Sequence, residues 1–146
     1  PILRGRFGPI QGDVVLDRAA ASGQLGLRIA TRTLDTGLRI LDRRMAQPDL
    51  LDIEQSPEAY FVASRFRFDG ERLAEVRGEF TVRGTGIPLS LKALQFGCRT
   101  DAERAAEVCG GDFEGRFRRS EFGITFGLPF VGDEVRLLVQ VEGARL

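Results

Sequence analysis

Histidine is absent from this chain, which removes the commonest general base and the commonest zinc ligand together. Tryptophan is absent too, and a single tyrosine stands against 11 phenylalanines. Phenylalanine carries no polar handle, so this aromatic supply suits a dry interior better than a base-stacking platform. Net charge is zero, from 21 basic and 21 acidic residues, so no global field steers the chain to nucleic acid or an anionic membrane. Lys92 is the one lysine among the basic residues, which reads as genome composition rather than as a binding signature. No apolar run approaches the roughly 20 residues of a membrane span, and no basic-then-apolar N-terminus resembles a signal peptide.

What is present is period-two alternation, the mark of strands with one face in an apolar interior and one in water. At 146 residues the chain suits one domain with a sizeable core. The clearest stretch runs from Phe113 to Val141. Phe113, Gly115 and Phe117 share one face of its first strand, and Val135, Leu137, Val139 and Val141 share one face of its second. Between them lie Arg119-Ser120-Glu121-Phe122-Gly123-Ile124 and a turn at Leu128-Pro129-Phe130-Val131-Gly132-Asp133.

Taken in order, residues 5–17 read as a bent, bulged strand around Gly8-Pro9 and Gly12. Residues 24–33 place Leu25, Leu27 and Ile29 inward. Asp35 or Thr36 can cap a helix in which Leu38, Leu41 and Met45 share a face, and Pro48 can open a short turn over Leu50, Leu51 and Ile53. Residues 60–68 place Tyr60, Val62, Ser64, Phe66 and Phe68 on one face. After the turn signal Asp69-Gly70-Glu71, Val76, Gly78, Phe80 and Val82 point inward along residues 73–83. Leu89, Leu91 and Ala93 line a further strand that starts at Pro88. Thr100-Asp101-Ala102-Glu103 has capping-box spacing, which predicts a short helix over 101–107.

The fold class expected from this pattern is all-β: one domain over residues 1–146, an antiparallel barrel with one helical crossover around 37–53. Seven strands are visible where a small up-and-down barrel usually has eight. An eighth strand upstream of Pro1 is therefore expected.

Three groups of residues are candidate sites. Cys98 and Cys109 flank the 101–107 excursion; a disulfide there would contribute on the order of 3 kcal/mol in an oxidising compartment, with two free thiols as the alternative. Zinc does not suit two cysteines without histidine. Arg39, Arg43 and Arg44 can meet a phosphate or quinone carbonyl at the barrel mouth, or form a solvated helix face paired with Asp42 and Glu54. The inward phenylalanines Phe61, Phe66, Phe68, Phe80, Phe113, Phe117, Phe122 and Phe126 are core, cavity wall or both. Inward Gly78 and Gly115 favour a cavity, because each removes volume that a packed core would fill. Ser120-Glu121 lacks a histidine base, so no conventional nucleophilic set can be assembled. Asp35 and Asp42 remain a formal acid–base pair.

In order along the chain, the motifs resemble the YceI-like family of secreted lipocalin-like barrels. The resemblance rests on Gly5-Arg6-Phe7 with Gly12, on Leu34-Asp35-Thr36-Gly37 with Asp42 and Leu50-Leu51-Asp52, and on Ser56-Pro57 to Phe61. It continues through Arg77-Gly78-Glu79-Phe80-Thr81-Val82-Arg83-Gly84 with Ile87-Pro88-Leu89. Arg119 to Ile124 with Val131-Gly132-Asp133-Glu134-Val135 completes it. Ser56 replaces the family's usual tyrosine, and the family's first strand has no counterpart here.

The resemblance implies a periplasmic or secreted protein, not membrane-spanning and often a homodimer. Its cavity would be threaded by a long isoprenoid such as a quinone or polyprenyl phosphate. It implies no required cofactor, no nucleic-acid partner and no enzymatic role. The expected lining is Phe7, Leu25, Leu27, Ile29, Leu38, Leu41, Met45, Val62, Phe66, Phe68, Phe80, Val82, Leu91, Phe117, Phe122, Ile124, Leu137 and Val139. The competing reading is a structural barrel with a filled core that acts through a dimer surface. A lipocalin-like enzyme using two inward carboxylates ranks third.

Overall fold

The computed structural model describes residues 3–103 and 105–144. Seven strands form one sheet in sequence order, every neighbouring pair antiparallel. They are β1 Gln11–Asp17, β2 Ser22–Ala30, β3 Glu58–Asp69, β4 Arg72–Val82, β5 Thr85–Asp101, β6 Ala106–Arg118 and β7 Glu134–Ala144. The sheet curls into a half-barrel. Arg18, in the β1–β2 turn, reaches Glu107 of β6 at 2.7 Å. Val14 Cγ1 lies 3.3 Å from where a Cβ on Gly143 would sit. No hydrogen-bonded ladder joins β1 to β7 among the described residues, so the curl is closed by side chains at one end and open along its seam.

Single-residue register shifts interrupt the pleat after Ala63 in β3, between Arg67 and Phe68, and between Ala93 and Gln95 in β5. Each adds local twist and bends the sheet toward closure. They also change which side chains face in, because a one-residue slip reverses a strand. Ala59, Phe61 and Ala63 are buried, whereas Tyr60 and Val62 face out, Val62 at 62% exposure. Beyond the shift at Ser64, Phe66 and Phe68 pack against the core. The expected inward face of residues 60–68 is thus correct only in its second half. In β5 the shift at Leu94 brings Phe96 to the inner face opposite Gly111.

The expected helix over 101–107 does not form among the described residues. Asp101 ends β5 and Ala106 begins β6, with Thr100 opposite Glu107. Extended pairing continues to Asp101 opposite Ala106, and the Asp101 carboxylate accepts a hydrogen bond from the Glu103 amide within the tip. In the 37–53 crossover the helix α1 is short, Arg39–Met45. Neither Asp35 nor Thr36 caps it. The Asp35 carboxylate accepts from the Gly37 amide, and Thr36 gives both its amide and its hydroxyl to Asp42. The helix therefore starts after Leu38, which is 64% exposed rather than inward. Leu50 supplies the crossover's deepest contact, at 5% exposure.

The core occupies the concave face: Leu27, Phe61, Val76, Phe80, Leu89, Leu91, Phe113 and Val139 with Leu50, Phe122 and Ile124 from the connections. On the convex face one acid is also buried. Glu75 is 7% exposed, accepting hydrogen bonds from Arg77 Nε at 2.5 Å and Ser90 Oγ at 2.7 Å, with Arg67 at 3.5 Å. The Arg77 bond, then the Ser90 bond, holds its carboxyl at about 2, below the ordinary 4.5. A depressed folded value means the contribution is complete above the unfolded value and disappears as pH falls through the folded one. Glu75→Gln is expected to lower stability by about 2 kcal/mol at neutral pH. Chemical denaturation at a series of pH values checks this: the gap to the parent protein should close between pH 4.5 and about 2.

Candidate functional site: the concave face and its plugged end

The two ends of the half-barrel differ. One carries the β1–β2, β3–β4 and β5–β6 turns; the other carries the 31–57 crossover, the tight β4–β5 turn and the 119–133 connection between β6 and β7. At this second end Phe80, Phe117 and Phe122 form a closed ring cluster with centroids 5.4–5.5 Å apart, each pair edge to face. Phe122 arrives on a 3-10 turn over Arg119–Phe122, closed by Gly123 in the left-handed region (φ 78°). The three interlocking rings pack against one another at this end.

Arg119 organises that plug. Its guanidinium donates to the carbonyls of Ile124, Phe126, Val131 and Gly132 at 2.7–3.0 Å. Only arginine has donors enough, in a fixed fork, to bind four carbonyls of one loop. Ser120 gives its amide and hydroxyl to the two oxygens of Asp133, at 2.8 and 2.6 Å. The Ser120 hydroxyl, chiefly, holds the Asp133 carboxyl below its usual range. Ser120 is thus a structural residue of the loop, its amide and hydroxyl both committed to the Asp133 carboxylate, with no histidine in the chain to complete a nucleophilic set.

Away from the plug the inner wall is wetter. Leu25, Phe66, Phe68, Phe96, Leu137 and Val141 pack against the core yet stay half-buried. Together they form an apolar trough along the concave face. Its hairpin end is crossed by the Arg18–Glu107 ion pair and braced by a disulfide between Cys98 and Cys109. The two cysteines are directly opposed across β5 and β6 with Cα atoms 4.0 Å apart.

Inward glycines do not create the hollow. A Cβ on Gly78 would lie 2.2 Å from the Val62 carbonyl, and one on Gly115 would lie 2.7 Å from Leu91 Cδ2. Neighbouring strands already fill that volume, which corrects the expectation that these positions widen a cavity.

A groove of about 650 Å3 lies against the far half of β5, β6 and β7, and its lining includes Phe96 and Val141 of the trough wall. Alternation assigns Gln95, Gly97, Arg99, Gly110, Asp112, Gln140 and Glu142 of its lining to the convex face. It is therefore not the apolar hollow expected from the sequence. A hollow of about 50 Å3 beneath α1 is lined by Thr31, Leu34, Asp42 and Ile53 among others.

Of the lining expected from sequence, Leu27, Phe80, Val82, Leu91, Phe122, Ile124 and Val139 are buried in the packed band. Leu25, Ile29, Leu41, Met45, Phe66, Phe68, Phe117 and Leu137 are half-buried. Phe7, Leu38 and Val62 are exposed at 37%, 64% and 62% and do not line the interior. Phe7 lies outside the strands, Leu38 sits beside the helix start, and the bulge at Ser64 turns Val62 outward. Phe126 is likewise exposed, beneath the Arg44 guanidinium at 4.3 Å. Phe96 was not expected; alternation from Leu89 and Leu91 points it outward, and only the slip at Leu94 reverses it. Arg44 pairs with Asp49 at 2.7 Å through both guanidinium nitrogens rather than with Asp42 or Glu54. Arg39 and Arg43 remain exposed at the plugged end.

An antiparallel sheet curled around an apolar face, plugged at one end, defines a lipocalin-like β-barrel. The description of the YceI-like domain matches residues 2–143, and the chain belongs to that family. A UPF0312 protein of Enterobacter sp. (strain 638) is 28% identical over 144 residues, covering 98% of this chain and 74% of the relative. Protein YceI of Salmonella arizonae is 26% identical over the same shares. The crystal structure of Campylobacter jejuni YceI protein superposes with a TM-score of 0.85 at 19% identity, over 100% of this chain and 86% of that one. Burkholderia cenocepacia BcnA gives 0.73 at 24% identity, over 95% and 86%.

The disulfide closes a short loop between opposed strands, so its removal releases the hairpin tip more than the core. Cys98→Ala/Cys109→Ala is expected to cost about 3 kcal/mol, read as a lowered melting temperature that dithiothreitol reproduces in the parent protein. Equal melting temperatures with and without reductant would contradict it.

Proposed function

We propose that this protein is a non-enzymatic carrier for a long apolar amphiphile, an isoprenoid such as a quinone or polyprenyl phosphate, held in the concave trough. The observation that carries the reading is the half-buried inner wall of Phe66, Phe68, Phe96, Leu137 and Val141. A core selected only for packing would leave fewer large side chains part-wet on an inward face. Covering about 300 Å2 of such surface supplies on the order of 7 kcal/mol before the cost of association. The isoprenoid itself comes from the family resemblance.

A disulfide suits an oxidising compartment, which supports a periplasmic setting. No helix among the described residues is long and apolar enough to cross a membrane. The phenylalanine plug favours a second reading, a filled barrel acting through its outer surface, including as a homodimer.

Organic-solvent extraction of the purified protein followed by mass spectrometry separates the two. The carrier reading expects a co-purified isoprenoid, or stoichiometric uptake of added ubiquinone. Leu137→Glu should lower that uptake about tenfold or more, with the melting temperature reporting on folding. Repeated absence of lipid together with no uptake would favour the filled barrel.

A further inference from the structure

The two contacts described across the seam both land beside Cys109. Glu107, which accepts from the Arg18 guanidinium at 2.7 Å, lies two residues before it on the same face of β6. Gly143, beside Val14 of β1, is its partner in the β6–β7 register. The Glu107 oxygen that holds Arg18 is also the one 3.9 Å from Cys109 Sγ. The strand carrying this landing site is thinly supported. Among the described residues β4 pairs with β5 no further than Lys92, and β7 meets β6 only from Val108 onward. Glu107 is therefore held in the ladder by Thr100 of β5 alone. A two-stranded hairpin is marginal in water, and the Cys98–Cys109 disulfide is the covalent tie across this one, two rungs from Glu107.

We propose that this disulfide is a redox switch for the mouth of the trough. Oxidised, it holds Glu107 where Arg18 straps the hairpin end shut; reduced, it lets the tip and the strap part. The use of that opening, to load or release an apolar chain, rests on the carrier reading, whereas the strap itself does not. Both cysteines are half-buried rather than sealed in the core, so a small dithiol reaches the bridge. One thiolate of the dithiol attacks a sulfur of the bridge, the sulfur–sulfur bond breaks, and the other cysteine leaves as a thiolate that takes a proton from water. The dithiol's second thiolate then displaces the first cysteine, which is protonated in turn. The dithiol closes into its own disulfide, and two electrons pass to the protein. Reduction also sets an S–H donor, which the disulfide lacks, beside the oxygen that holds Arg18.

Amide hydrogen exchange with and without dithiothreitol tests the switch. Reduction should speed exchange in the tip, at Arg99 and Val108, about a hundredfold. It should also speed exchange about threefold or more at Ala20 and Ala21, whose amides are bonded within the β1–β2 turn and touch no cysteine. Val76 and Leu89 in the central strands should stay unchanged and report that the fold is intact. In the oxidised protein Glu107→Gln should reproduce the increase at the turn, and dithiothreitol should then add nothing there. Cys98→Ala/Cys109→Ala should match the reduced protein and ignore dithiothreitol. A tip that loosens while Ala20 and Ala21 stay as they were would overturn the proposal, as would a turn that still responds to dithiothreitol in the cysteine-free variant. Ubiquinone exchange measured alongside should be faster in the reduced protein, and equal rates in both states would overturn the role as a mouth. A turn that responds in a protein taking up no ubiquinone in either state would uphold the strap and count against the carrier reading instead.

Discussion

The edge-to-face cluster of Phe80, Phe117 and Phe122 is the contact on which this molecule depends. A curled sheet with an apolar inner face must cover it or leave it wet. Here one end is covered by three rings contributed by β4, β6 and the connection that follows β6. Phe122 stays in place because Arg119 and the Ser120–Asp133 pair fix the loop behind it. Opening that loop would expose Phe122 and Ile124, which are 3% and 7% exposed. The plug also divides the interior. A dry band lies against it, and the half-buried trough lies where no ring closes the space.

Charges hold the outside of the sheet as rings hold the inside. Glu75 is gathered by Arg77, Ser90 and Arg67. Glu114 lies between Arg136 and Arg116, with Arg136 first in holding its carboxyl below the usual range. These contacts tie neighbouring strands together even where the register sets Arg116 opposite Arg136 and Arg65 opposite Arg77, because a carboxylate lies between the guanidinium groups of the first pair. The exposed pairs are worth little individually. The convex face they order is mostly charged, with Tyr60, Val62, Leu94 and Leu138 exposed on it, while the concave face carries the apolar core.

Much of this was legible in the chain. Alternation located the seven strands, and the order of short motifs indicated the family. The helical crossover and the Cys98–Cys109 disulfide were likewise foreseen. What escaped were events of one residue. In β3 two interleaved apolar sets, Ala59-Phe61-Ala63 and Tyr60-Val62, compete for the same face, and the larger side chains pointed to the wrong one. The bulge at Ser64 reverses the strand without a glycine or proline to mark it. The slip at Leu94 hid Phe96 in the same way. Thr100 to Glu103 has the residues of a capping box, but the cysteines facing each other across β5 and β6 extend the ladder past Gly97 and Gly110 instead. Local capping preference, worth about 1 kcal/mol, yields to the pairing of a long hairpin.

The central claim is that an apolar chain lies along the inner wall and nowhere else. Chemical-shift mapping tests it most directly, titrating geranylgeraniol into isotopically labelled protein. Perturbations should concentrate at Phe66, Phe96, Leu137 and Val141 and spare Val62 and Leu94 on the convex face. Shifts confined to the convex groove around Gln95, Arg99 and Gln140, or no saturable shifts at all, would contradict it.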